Sequence, residues 1–154
     1  MPYWSAGQKI RASDLNTITP GNEQGEWTIA ANLAIGTPTL INNWSAWSGA
    51  TIAGISHSSG VFTVTDGGIY TISLSIRFSA TAAGGHYCFI TGVSTEIWAK
   101  SSETGTTNVA CTATKRIAAG GTIRCYGYSS PGSNAVHEQA GDLVTGVTIY
   151  RLGP

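Results

Sequence analysis

Apolar and polar residues alternate most regularly between Gly68 and Phe78. Large apolar side chains occupy every second position of this stretch, at Tyr70, Ile72, Leu74, Ile76 and Phe78. Residues two apart share one face of a β-strand, so the pattern predicts a long strand with one apolar face and one small, polar face. Asp66-Gly67-Gly68 precedes it and supplies the positive backbone dihedrals of a tight turn. We therefore expect residues 61–65 to pair back with this strand as a hairpin.

The other apolar runs from Trp27 onward are short and end at Gly, Pro, Asn or Ser. No apolar stripe with helical spacing continues along the chain. Short strands separated by such residues are typical of an all-β sandwich or jelly roll. We predict strands near residues 27–35, 38–44, 50–57, 61–65, 68–78, 86–93, 96–100, 107–116, 121–128 and 143–152.

The chain divides into an N-terminal segment at residues 1–25 and a β-domain at residues 26–154. The segment is polar and irregular, but it carries three well-spaced apolar residues, Trp4, Ile10 and Leu15. A segment this short cannot bury them by itself, so we expect it to gain order by docking onto a partner. Within the β-domain, the longest stretch without a strand pattern runs from Ser129 to Gly141, and we expect it to be the largest and most variable loop.

Composition narrows the classes of partner. Charged residues make up 10% of the 154 residues, with a net charge of zero, against about 25% in ordinary soluble domains. Without a basic run, we expect no nucleic-acid partner. No apolar stretch approaches the ~20 residues of a spanning helix, so we expect no membrane insertion. The first eight residues lack the basic and apolar regions of a signal peptide, which predicts synthesis in a host cytoplasm and release by a route such as lysis.

Residues that commonly carry chemistry are scattered. His57, His86 and His137 do not lie at metal-ligand spacings from one another, and Asp66 and Asp142 occupy turn positions. The cysteines form neither a CxxC pair nor a zinc-binding pattern, and each lies in an apolar run: Cys88, Cys111 and Cys125. We expect buried free thiols there, with a bridge between the first two as the alternative. The sequence therefore predicts no enzyme, no cofactor and no metal site.

Aromatic residues are numerous for a chain with so few charges. The tryptophans are Trp4, Trp27, Trp44, Trp47 and Trp98. We expect most of them in the core, while the alternative places some at subunit contacts or on a saccharide-binding surface.

The last predicted strand is apolar on both faces. One face carries Val147 and Ile149, and the other carries Val144, Thr148, Tyr150 and Leu152. A strand of this kind usually has both faces covered. We expect one face to meet the second sheet and the other to meet another copy of the chain.

Three stretches resemble the jelly rolls of complement-type globular heads and of the tumour necrosis factor family. Gly60 to Ile76 is similar to the family's short strand, Gly and aromatic residue that lead into a long central strand. Ala110 to Gly127 is similar to a strand, turn and following strand, with Gly121 in place of the family's usual aspartate, and Gly146 to Leu152 resembles the final strand. The resemblance implies a ten-stranded jelly roll that forms a homotrimer around a threefold axis. The family's acidic calcium cluster is not evident, so no metal site is implied.

The N-terminal segment resembles the opening of small virion proteins of actinobacterial phages, especially tail and fibre proteins. The similar residues run from Trp4 to Asn16, as Trp-Ser-Ala-Gly-Gln-Lys-Ile-Arg-Ala-Ser-Asp-Leu-Asn. This resemblance implies that Trp4, Ile10 and Leu15 dock onto other virion proteins.

Together these observations predict a non-enzymatic phage structural protein, located in the virion, associated with the tail or fibre and binding the host surface. A capsid decoration or head-spike protein is one alternative, and a saccharide-binding module is another. We expect three tyrosines at the trimer interface, Tyr126, Tyr128 and Tyr150. We expect a host-facing loop that contains Ser133, Asn134 and His137, with a host cell-surface glycan as a candidate ligand.

Overall fold

The alternating stretch after Gly67 forms the central strand of the molecule. The computed structural model describes residues 23–79, 84–92, 97–101, 106–130, 132–136, 138–139, 142–143 and 145–154, and the described residues form strands without helices. Every strand pairing among them is antiparallel. Two sheets carry the apolar positions, and a small two-stranded ribbon stands apart from them.

The first sheet has seven strands: β1 (Gln24–Ile29), β2 (Leu33–Ile35), β4 (Trp44–Ala46), β7 (Gly68–Ser79), β10 (Thr106–Ile117), β12 (Ser133–Ala135) and β15 (Gly146–Gly153). Strand β7 pairs with β10 along all twelve residues of one edge. Its other edge pairs with β15 over most of its length and with β12 near Phe78. The order then continues from β15 to β1 and β4, and from β12 to β2.

The second sheet has six strands: β3 (Thr39–Leu40), β5 (Ile55–Ser58), β6 (Val61–Val64), β8 (His86–Thr91), β9 (Ile97–Ser101) and β11 (Thr122–Ser129). They follow the order β5-β6-β11-β8-β9, and β3 also pairs with β11. The ribbon consists of β13 (Glu138–Gln139) and β14 (Asp142–Leu143).

The core lies between the two sheets, as a sandwich requires. On β7 the alternate residues from Tyr70 to Phe78 are almost fully buried, which agrees with the predicted apolar face. The second sheet contributes Phe62 to this core. Its ring centroid lies 4.7 Å from that of Trp27 and 6.0 Å from that of Trp44. These contacts place two of the tryptophans in the core, with 3% and 6% of their surface exposed.

The predicted hairpin between residues 61–65 and β7 is wrong. Strand β6 pairs instead with β5 and β11 in the second sheet, and residues 65–67 carry the chain across to the first sheet. The tight turn is at Ser59-Gly60, where both residues have positive φ (48° and 83°), as a two-residue hairpin needs. Two consecutive strands with one apolar face each can bury those faces against each other, and that places them in opposite sheets.

Gly67 and Gly68 are needed for close approach rather than for positive φ. A Cβ on Gly67 would lie 3.1 Å from the backbone nitrogen of Ala119, and one on Gly68 would collide with the carbonyl oxygen of Gly153. The glycine pair therefore lets the crossing chain pass directly against two other backbone segments.

The long loop predicted from Ser129 to Gly141 is also wrong in part, because it contains β12. Ala135 in this strand is fully buried and pairs with Leu33 and Phe78. Its neighbours Ser133 and Asn134 are polar, so the three-residue strand shows no apolar alternation that sequence could detect. The strand is formed by pairing with β2 and β7 on its two sides.

Some predicted strands are divided or shortened. The stretch predicted at 27–35 bends at Ala30 and Ala31, which separates β1 from β2. Strand β1 begins at Gln24, two residues before the predicted start of the β-domain. The three cysteines are free and buried, and burial raises the pKa of the Cys125 thiol.

A polar cluster surrounds Glu23, the first described residue. Glu23 is 6% exposed, and its Oε1 accepts a hydrogen bond of 2.7 Å from the backbone N–H of Asp66. Its other oxygen contacts the Tyr70 hydroxyl, which lies 2.7 Å from the carbonyl oxygen of Asp66. A proton on Glu23 makes both of these contacts hydrogen bonds, since the phenol has only one proton to donate. Arg151 completes the cluster, 3.6 Å from the Asp66 carboxylate and 2.6 Å from the Gly67 carbonyl oxygen.

We predict that Ile72→Ala lowers the free energy of unfolding by about 2–5 kcal/mol, because it leaves a cavity under a fully buried side chain. The matched control is Ile52→Ala, at a position 38% exposed, where we expect a change within about 0.5 kcal/mol. Urea denaturation measures both. Equal effects at the two positions would contradict the location of the core.

We predict a pH-dependent gain in stability from Glu23→Gln. Burial raises the pKa of the Glu23 carboxyl above its ordinary 4.5, more than the Asp66 N–H lowers it. A raised carboxyl pKa favours the folded protein while the proton is bound, and this stability is lost as pH rises from 4.5 through the raised value. The variant, which stays neutral, should therefore gain on the wild type between about pH 4 and pH 7. Urea midpoints at both pH values test this, and a difference that does not change with pH would contradict it.

Candidate interaction surfaces

Two of the three histidines, His57 and His86, lie among the described residues, and each contacts neighbouring residues of the fold. The Nε2 of His57 accepts a hydrogen bond of 3.1 Å from the backbone N–H of Gly60, and burial lowers the pKa of this imidazole. His86 is buried with its ring centroid 5.1 Å from that of Phe78. His137 lies outside the described residues. Among the described residues, no group of three His, Cys, Asp or Glu side chains is placed to bind a metal ion. The same residues form no helix that is long and apolar enough to span a membrane.

The two sheets each turn one side away from the core, and these outer sides carry distinctive side chains. On the side of the first sheet that faces away from the core, three central rows consist of small or uncharged residues apart from Glu26, and the adjoining rows carry Arg77 and Arg116. The rows are Gln24-Tyr150-Thr71-Thr114, Glu26-Thr148-Ser73-Thr112 and Thr28-Gly146-Ser75-Ala110. We call these twelve residues the first-sheet face. Glu26 is the one charged residue among them.

Hydroxyl groups of the first-sheet face bond to one another across the strands. The Thr71 and Thr114 oxygens are 3.0 Å apart, and those of Ser73 and Thr112 are 3.1 Å apart. The two hydroxyls of each pair are hydrogen-bonded to each other. A second protein surface that covers them therefore leaves few polar groups without a partner.

A groove with a volume of about 310 Å³ runs along the first-sheet face. Ser73, Ala110 and Gly146 lie along it, and Trp47 stands at its side with 39% of its surface exposed. Small side chains leave the room for this groove, and a large aromatic beside it offers apolar contact area.

Tyr150 and Leu152 extend the same side of β15 and are 36% and 51% exposed. The Tyr150 hydroxyl donates a hydrogen bond to Glu26, and this bond raises the pKa of the phenol. Among the described residues the predicted division of the last strand is therefore present, while Val144 lies outside them. Val147 and Ile149 are buried in the core, and the other apolar residues point outward.

The outer side of the second sheet is aromatic. On β8 and β11, Phe89 lies opposite Tyr126 and Tyr87 lies opposite Tyr128. The first pair is stacked, with ring centroids 4.9 Å apart and planes 3° apart. The second pair meets edge to face at 5.3 Å. With Arg124, two residues before Tyr126 on the same side of β11, these residues form what we call the second-sheet face.

The structure does not bring the three predicted interface tyrosines together. Tyr126 and Tyr128 are half-buried on the second-sheet face, while Tyr150 lies on the first-sheet face. The two faces point in opposite directions, because each sheet turns its other side to the shared core. Sequence correctly indicates that Tyr126 and Tyr128 share a side, since they are two residues apart.

The predicted host-facing residues have different surroundings. Asn134 is exposed and Ser133 is half-buried in β12, so they belong to a strand rather than to a loop. Trp4, Ile10 and Leu15 lie outside the described residues, as does His137.

Sequence reasoning missed the groove and the aromatic pairs. Trp47 carried a signal, as one of several tryptophans, but its exposure depends on a turn after β4. Phe89 and Tyr87 alternate with buried Cys88 and Ile90, which indicates a shared side. Their partners on β11 follow from strand pairing alone.

No protein-family model matches the chain, and no curated protein matches it in sequence. Solved structures are similar to it in fold. Eiger TNF from S. frugiperda has a TM-score of 0.65 and 9% identity, over 85% of this chain and 92% of that chain. Murine APRIL has a TM-score of 0.62 and 13% identity, over 84% and 98%. The PRD1 vertex protein P5 has a TM-score of 0.58 and 9% identity, over 86% and 98%.

These similarities confirm the predicted fold class, an all-β jelly-roll sandwich of the tumour necrosis factor type. Identities near 10% establish the fold alone. The resemblance of the N-terminal segment to actinobacterial phage proteins stays a prediction.

Proposed function

We propose that this chain is a non-enzymatic structural protein of a bacteriophage virion. It forms a homotrimeric knob through the first-sheet face, and residues 1–25 attach the knob to the tail or fibre. The free surfaces of the knob contact the host. Similarity in fold to a phage vertex protein and the resemblance of residues 4–16 to phage tail proteins support the virion setting.

The observation that carries the proposal is the neutrality of the first-sheet face. Covering a charged side chain without a partner is costly, and this face holds a single charge, on Glu26, which is bonded to Tyr150. Exposed Trp47, Tyr150 and Leu152 lie on or beside it. Interface cores are depleted in charge and enriched in Trp and Tyr, so these residues favour coverage by another protein surface.

Another copy of the chain fits this surface. The tumour necrosis factor resemblance implies three copies with inner sheets around an axis, and the first sheet contains β15, the strand that resembles the family's last one. Three weak host contacts held in one knob bind far more tightly than a single contact, because the later ones become intramolecular. Adhesion by multivalency is the mechanism that we propose.

A capsid decoration or spike protein is the second candidate. The similarity in fold to the PRD1 vertex protein P5 favours it. Imaging of particles distinguishes the two locations, because a decoration protein occurs at many copies over the shell and an adhesin at a few copies on the tail.

We predict that light scattering gives three times the monomer mass for the wild type. Tyr150→Lys should reduce this toward the monomer, because it places an unpaired charge in the interface. Tyr128→Lys is the matched change on the opposite face, and an interface through the first sheet leaves that variant trimeric. A monomeric wild type at micromolar concentration contradicts the trimer, and dissociation by Tyr128→Lys alone assigns the interface to the second sheet.

We predict that deletion of residues 1–20 leaves the β-domain folded but absent from phage particles. The deletion keeps Glu23 and its polar cluster, so the core is unchanged. Circular dichroism of the purified variant reports the fold, and immunoblots of purified particles report incorporation. Full incorporation of the shortened chain would show that attachment does not depend on this segment.

A further inference from the structure

We propose that the second-sheet face binds a saccharide chain that carries acidic groups. The inference deepens the proposed host-binding function and rests on it for the source of the saccharide. Its physical basis lies in the described residues of β8 and β11.

The second-sheet face presents two neighbouring pairs of aromatic rings. Tyr87, Tyr126 and Tyr128 are each half-buried, so part of every ring is accessible. Phe89 lies beneath this layer, 5% exposed and stacked on Tyr126. Residues two apart along a strand are separated by about 6.7 Å, so the two pairs of rings lie about that far apart along the strands. On β9, Trp98 occupies the register position opposite Phe89.

Such rings suit a sugar in two ways. The apolar C–H side of a pyranose ring can lie flat on an aromatic ring, and the phenol hydroxyls can exchange hydrogen bonds with the sugar hydroxyls. A purely hydrophobic ligand would cover the phenols of Tyr126 and Tyr128 without offering them a hydrogen-bond partner, which costs free energy. Tyrosine therefore favours an amphipathic ligand over a lipid tail.

Charge selects the acidic form of the ligand. Arg124, which is half-buried, lies beside Tyr126 at one end of the aromatic rows. The described side chains of this face include no carboxylate, and Glu96 lies outside the described residues. A guanidinium beside accessible aromatic rings suits a saccharide that carries carboxylates or phosphates, because Arg binds these anions through paired hydrogen bonds.

Nucleic acid is less well matched than an acidic saccharide. A single-stranded nucleic acid also stacks on aromatic rings, but its binding requires a basic groove along the backbone. This chain has zero net charge, and Arg124 is the one cation among the described side chains of the second-sheet face. The face also remains free when the first-sheet face is covered in a trimer, because the two point in opposite directions.

Affinity electrophoresis of the purified full chain tests this inference. The probes are polygalacturonate, a poly(glycerol phosphate) polymer that carries sugars, fully methyl-esterified polygalacturonate and single-stranded oligothymidine. We expect at least one acidic polymer to retard the protein, with weaker retardation by the neutral ester and at higher salt. Tyr126→Leu and Arg124→Gln should each weaken binding roughly tenfold, a change that corresponds to about 1.4 kcal/mol.

Arg116→Gln is the matched control, since Arg116 is an exposed cation on β10 of the first sheet. It should bind as the wild type does. Tyr126→Leu keeps an apolar side chain over Phe89, and Tyr128→Phe is a second variant that removes only a hydroxyl and tests the face without any loss of packing.

Three outcomes overturn the inference: no acidic polymer retards the protein, Tyr126→Leu and Arg124→Gln bind as tightly as the wild type, or oligothymidine binds more tightly than every saccharide. Light scattering on the same variants keeps the two proposals separate. If the protein is a trimer but binds no saccharide, the saccharide proposal is wrong and the trimer proposal stands. If the protein is a monomer that binds saccharide, the trimer proposal is wrong and the saccharide proposal stands.

Discussion

The sandwich depends on the burial of one side of β7. This strand pairs with β10 along one edge and with β15 and β12 along the other, so it sets the register of three of the other six strands of the first sheet. Its alternate residues from Tyr70 to Phe78 are at most 1% exposed and form the floor on which the second sheet packs. A sheet with one apolar side must cover it with another layer, and the second sheet is that layer.

This constraint leaves two outer faces that are free to differ. The first-sheet face carries one charge, on Glu26, and consists mainly of Thr and Ser side chains, with a groove beside Trp47. The second-sheet face consists of paired aromatic rings beside Arg124. A protein that assembles and binds at the same time benefits from this separation, because assembly on one side leaves the other accessible. Both proposed functions use this division.

Particular residues show how far sequence could predict the fold. The alternation in β7 and the final strand is strong, because each strand has one side in the core and period-two burial leaves a visible pattern. Strand β12 has no such pattern, since only Ala135 is buried, and it exists because β2 and β7 offer backbone partners on both sides. The turn at Asp66 to Gly68 has the composition of a hairpin turn but crosses between sheets. Local residues do not encode which strand lies across the core.

Some features of the candidate surfaces likewise follow from the sequence, and others follow only from the tertiary structure. Sequence alone determined the all-β class, the side shared by Tyr126 and Tyr128, and the outward position of Tyr150 and Leu152, because side-chain direction alternates along any strand. Only the tertiary structure decided that β11 and β15 belong to opposite sheets, and therefore that these tyrosines face apart. The physical reason is that alternation fixes direction within one strand, whereas sheet membership is set by backbone pairing between strands distant in the chain.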